Sequence, residues 1–97
     1  MREDLPLRFA EKRMSKLRSR NERDWRHWED LPNGDRRYWI RRAGRQWGWQ
    51  ILYKEVVYDA DTQLENTFRM WQEVYDNDGK LVEVHHKFPA DTGHQKL

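Results

Sequence analysis

The sequence predicts an α+β domain, with one or two N-terminal amphipathic helices packed on a four-stranded antiparallel meander sheet. Three observations predict it. Apolar residues in the first third recur at steps of three and four. The second half alternates apolar and polar residues and is rich in β-branched and aromatic types. Turn residues separate those alternating runs at short intervals. The 97 residues suit one domain. It divides into a basic helical segment over 1–33, a sheet over 36–88 and a C-terminal tail over 89–97.

The helical stripe comprises Leu7, Ala10, Met14, Leu17, Trp25, Trp28 and Leu31. Asn21 falls on the same stripe and interrupts it. Ser15, Ser19 and Asn21 weaken helix propensity, so residues 7–31 form one helix or two with a joint near Ser19. Asp4 and Pro6 suit a helix start. Pro32-Asn33-Gly34-Asp35 suits a stop and a turn. Basic residues from Arg8 to Arg26 cover the face opposite the stripe.

The strands are expected over 37–42, 47–58, 67–75 and 80–88. Ala43-Gly44-Arg45 and Asp59-Ala60-Asp61 separate the first three. Asp76-Asn77-Asp78-Gly79 is a hairpin turn in which Gly79 supplies the positive φ. Pro89 ends the last strand. Alternation puts Phe68, Met70 and Val74 on one face with Val82, Val84, His86 and Phe88. That face is the expected core, closed by Met14, Leu17, Trp25 and Trp28. Arg69, Trp71, Tyr75, Leu81, His85 and Lys87 fall on the other face.

Charge is unevenly spread. Residues 1–46 hold 14 of the 19 Lys and Arg against 8 of the 17 Asp and Glu, a balance of +6; residues 47–97 carry −4. The chain has no cysteine, which excludes disulfides, thiolate catalysis and Cys-ligated zinc. No apolar run approaches the ~18 residues of a membrane span, and the first residues lack the apolar core of a signal peptide. A cytoplasmic protein with no membrane partner is expected.

Two groups of residues carry chemistry. Arg36, Arg37, Arg41, Arg42 and Arg45 cluster with Trp39, and Arg69 with Trp71 joins them from a later strand. Guanidinium groups grip phosphates and exposed aromatics stack unpaired bases. This makes a nucleic-acid-binding protein the first reading, for RNA or single strands. The same residue types also anchor protein interfaces, so a protein-interaction module, an accessory subunit or inhibitor, is an alternative.

The second group is the C-terminal run containing His85, Lys87 and His94. RNA cleavage without metal needs a general base, a general acid and a cation for the developing phosphorane charge. Imidazole serves either proton-transfer role. With His94 folding back, these three residues supply the set, and a metal-independent ribonuclease is a further alternative. Helices followed by a four-stranded sheet are similar in outline to the small toxin ribonucleases of the barnase and colicin type, with no motif shared residue by residue. No metal-ligand spacing occurs, so neither a metal nor another cofactor is expected.

Overall fold

The structure, a computed structural model, describes residues 14–46 and 48–97. Strand β1 (Ser15–Leu17) leads into helix α1 (Arg18–Trp25), followed by β2 (His27–Asp30), β3 (Arg36–Ala43) and β4 (Trp49–Asp59). Then come β5 (Leu64–Tyr75), β6 (Leu81–Phe88) and β7 (Gly93–Lys96). All strand pairs are antiparallel. Strands β2 to β7 lie side by side in chain order, and β1 pairs with the start of β5.

The expected fold class is therefore corrected. Among the described residues a seven-stranded antiparallel sheet carries one eight-residue helix, in place of one or two amphipathic helices on four strands. The helix is short because strand pairing claims both its flanks. Ser15, Lys16 and Leu17 lie opposite Asn66, Glu65 and Leu64, and the Ser15 hydroxyl donates to the Asn66 side chain. Arg26 takes a left-handed φ of 63° and ends the helix. His27–Asp30 then pairs with β3 around the turn at Pro32–Asp35, where the Leu31 amide donates to the Asp35 carbonyl at 2.8 Å. The turn residues read as a helix stop thus close a hairpin. The spacing of Trp25, Trp28 and Leu31 spans a helix end, a strand and a turn. Expectations resting on Asp4, Pro6, Leu7, Ala10, Arg8 and Trp47 lie outside the described residues. With the fold corrected, the outline likeness to toxin ribonucleases lapses.

Strands β3 to β6 occupy nearly the positions expected from alternation, but three β-bulges reset their faces. In one, Glu55 opposes Arg69 while Val56 opposes Thr67. In the second, Met70 opposes Phe88 while Trp71 opposes His86; in the third, Val74 opposes Glu83 while Tyr75 opposes Leu81. Each extra residue inverts the pattern beyond it. Opposed residues share a face. Val84 and His86 therefore lie on the face of Trp71, away from Met70 and Val74. The expected core set is split, and Phe68 is 40% exposed, Leu17 48% and Trp28 37%. The most buried apolar residues are instead Tyr38, Val56 and Trp71.

Helix α1 lies on the face that bears Tyr38, Lys54 and Val56, with the Trp25 ring 6.3 Å from the Tyr38 ring. It covers one end of that face. The chain continues past Phe88 through a cis peptide to Pro89, and the tail residues Gly93–Lys96 add β7 at the sheet edge. Among the described residues no helix is long and apolar enough to cross a membrane.

Candidate nucleic-acid interface

Beneath the helix lies a buried polar network. The Glu65 carboxylate, wholly buried, accepts hydrogen bonds from Tyr38 Oη at 2.7 Å, Asn21 Nδ2 at 2.9 Å and Arg18 Nε at 2.8 Å. Lys54 Nζ donates to Asn21 Oδ1 at 2.7 Å and stands 4.7 Å from the Trp25 ring centroid. A buried charge needs such partners to avoid a large desolvation cost. Burial still pushes the Lys54 ammonium down to about 8, and the Lys16 charge adds to the effect. Asn21 interrupts the apolar stripe because it bridges these two charges. That interruption and the charged pair Lys54-Glu55 inside a β-branched run are the two visible signs of the network in the sequence.

Three of the arginines read as phosphate ligands are held by acids. Arg36 is 6% exposed and reaches Asp30 and Glu22, each at 2.7 Å. Burial opposes its charge, but the hydrogen bonds it donates to Asp30, Glu22 and Tyr38 outweigh that and raise its pKa. Arg37 reaches Glu55 at 2.7 Å and Glu29 at 2.9 Å. Arg69 reaches Glu55 at 3.3 Å and lies 4.0 Å over the Trp71 ring. Trp71 is 7% exposed, stacks on Tyr53 at 4.7 Å and donates to Glu73 at 3.1 Å. It is a core residue of the face opposite the helix. Trp39, half-buried in the same row, stacks on His27 at 5.9 Å. Arg41 is exposed and lies 4.6 Å from the Trp49 ring. The structure does not gather Arg36, Arg37, Arg69, Trp39 and Trp71 with Arg42 and Arg45.

The end of the helix-bearing face that α1 leaves uncovered is built differently. Register aligns Ile40, Leu52, Gln72, His85 and His94 in one row across five strands. The next row is Arg42, Gln50, Val74, Glu83 and Lys96. A hollow of about 390 Å³ opens here, lined by Arg45, Gln50, Glu83 and His94 among others. A smaller one of about 40 Å³ adjoins it through Gln50 and is lined by Arg42, Gln72 and Lys87. Arg42, Arg45 and Lys87 are exposed and make no ion pair among the described residues.

His85 and His94 meet at this end, with ring centroids 4.5 Å apart and planes tilted by 57°. Each has its own carboxylate. His85 Nε2 lies 2.6 Å from Asp91 Oδ1, and His94 Nδ1 lies 2.8 Å from Glu83 Oε1. Asp91 also accepts from the Gly93 amide at 2.8 Å, and that bond, with His85 beside it, holds its carboxyl below the ordinary range. His85 Nδ1 is buried with no partner among the described residues. The His94 side chain is 55% exposed, and its Nδ1 is the nitrogen beside Glu83. His85 thus lies on the helix-bearing face and His86 on the other, the reverse of the sides expected. Lys87 occupies the bulge between His86 and Phe88 and lines the smaller hollow. Glu83 and Gln50 were missed. Glu83 was legible only as the residue two before His85 on one strand face.

The comparisons assign no family. No family model matches the chain, and neither do the curated proteins or the solved structures compared with it. The geometry of this surface carries the functional reading alone.

Proposed function

We propose that the chain binds single-stranded nucleic acid, RNA foremost, along the uncovered end of the helix-bearing sheet face. The observation that carries this is the placement of Arg42, Arg45 and Lys87 around two adjoining hollows, with no acid paired to any of them among the described residues. Exposed guanidinium and ammonium groups exchange counterions for phosphates at little desolvation cost. Gln50 and Gln72, hydrogen-bonded to each other at 2.6 Å, present amide groups between the cations. Such amides suit base edges or ribose hydroxyls. The larger hollow, about 390 Å³, has room for a nucleotide unit.

This narrows the expected arginine cluster. Arg36, Arg37 and Arg69 would each have to abandon a carboxylate to meet a phosphate, whereas Arg42 and Arg45 would not. The test is fluorescence anisotropy with a labelled single-stranded RNA of mixed sequence across a salt series. Arg42→Ala with Arg45→Ala is expected to weaken binding for every sequence. It should also flatten the salt dependence by about 0.7 per lost phosphate contact. Unchanged affinity and slope in that double variant would overturn the reading.

A further inference from the structure

Building on the single-strand reading, we propose that the hollow beside His94 cleaves RNA by internal transesterification, with His94 as the catalytic base and Arg45 as the phosphate clamp. Glu83 Oε1 lies 2.8 Å from His94 Nδ1, an ion-pair distance. A carboxylate that close favours the proton on Nδ1, which leaves the lone pair on Nε2. The ring is 55% exposed and lines the same hollow as Arg45, which comes from the turn between β3 and β4. A base and a cation thus face one space from opposite sides of the sheet end.

His85 serves differently. Asp91 holds its Nε2, and its Nδ1 is buried, so neither nitrogen is open to a substrate. Its ring packs against that of His94 and steadies it, which makes His85 a positioning residue. The other charged groups around the pair are Lys96, opposite Glu83, and Lys87 on the adjoining strand bulge.

RNA carries its own nucleophile beside each phosphorus, so one imidazole, acting first as base and then as acid, and one cation cover the reaction. His94 Nε2 takes the proton of the ribose 2′-hydroxyl. The 2′-oxygen bonds to phosphorus, and the bond from phosphorus to the 5′-oxygen breaks. The leaving 5′-oxygen takes the proton back from the imidazolium. Arg45 balances the charge that gathers on the non-bridging oxygens. The products are a 2′,3′-cyclic phosphate and a 5′-hydroxyl end, with no oxidation or reduction.

The test uses the full chain with a labelled single-stranded RNA and its 2′-deoxy counterpart, in a chelating buffer. Expected are cyclic-phosphate fragments from the RNA and intact, bound deoxy strand. His94→Gln should slow cleavage by about 100-fold or more. Glu83→Ala should lower kcat by about tenfold or more at constant KM, as befits a group that orients the base. Deoxy-strand binding without RNA cleavage would overturn catalysis and leave the binding reading standing. Failure to bind either strand would overturn both. Cleavage that needs a divalent ion, or that persists in the His94→Gln variant, would also overturn the proposal.

Discussion

Glu83 and His94 meet across the β6–β7 ladder, with Oε1 and Nδ1 2.8 Å apart, and this contact seats the last strand beside the hollow that Arg45 lines. The sheet therefore has two unlike ends on one face. One is sealed by helix α1 over a satisfied polar network. The other is open and carries cations with no acid partner among the described residues.

Glu65 holds the sealed end. Replacing it by Leu strips Tyr38, Asn21 and Arg18 of their shared acceptor in a buried setting. Breaking one side of a buried charged network costs about 3–5 kcal/mol. Urea unfolding of Glu65→Leu should show a loss of that size. A loss below about 1 kcal/mol would mean that the network contributes little.

Lys54 gives the chain a distinctive alkaline response. Its folded-state pKa is depressed to about 8 from the ordinary lysine value of 10.5. Between those limits the unfolded chain holds a proton that the folded chain has released, so stability rises with pH. The full gain is on the order of 3 kcal/mol. Tyr38 and Tyr75 are raised by burial and by their carboxylate partners, and they act in the opposite sense above about pH 10. The rise should therefore be visible in chemical denaturation between about pH 8 and 10. Lys54→Met should abolish it.

Gly48 is fixed by geometry. At φ +66° an added Cβ would sit 1.9 Å from the backbone oxygen of Tyr75, and the Gly48 amide donates to Asn77 Oδ1 at 2.7 Å. Gly48→Ala should cost about 2 kcal/mol or more, measured by thermal or urea unfolding. Gly34→Ala, with open space at φ +91°, faces only the backbone strain and should cost less.

Sequence alone located the four inner strands, because alternation and turn chemistry are local signals. It missed the outer strands and the faces. Ser15–Leu17 and His27–Asp30 are too short for alternation to outweigh the helical spacing that runs through them. Bulges at Glu55/Val56, Met70/Trp71 and Val74/Tyr75 leave no sequence mark, yet each inverts the side chains beyond it. The approach of His94 to His85 was legible, since both lie near the end of the chain on either side of a short Pro-Ala-Asp-Thr turn. The capture of Arg36, Arg37 and Arg69 by Glu22, Asp30, Glu29 and Glu55 was not, because it depends on register between distant strands.

That capture divides the arginines into two classes with opposite responses. Arg36→Ala should lower stability by about 3 kcal/mol, since it leaves Glu22, Asp30 and Tyr38 without their shared donor, and should leave the salt slope of RNA binding unchanged. Arg42→Ala should do the reverse. Paired unfolding and binding curves for the two variants check this.

The most direct measurement is the salt dependence of single-stranded RNA binding for the unaltered chain and for the Arg42→Ala, Arg45→Ala double variant. The account predicts a linear fall of log affinity with log salt concentration, and a slope shallower by about 1.4 in the variant if both arginines meet phosphates. Identical slopes, or no salt-dependent binding by the unaltered chain, would contradict it.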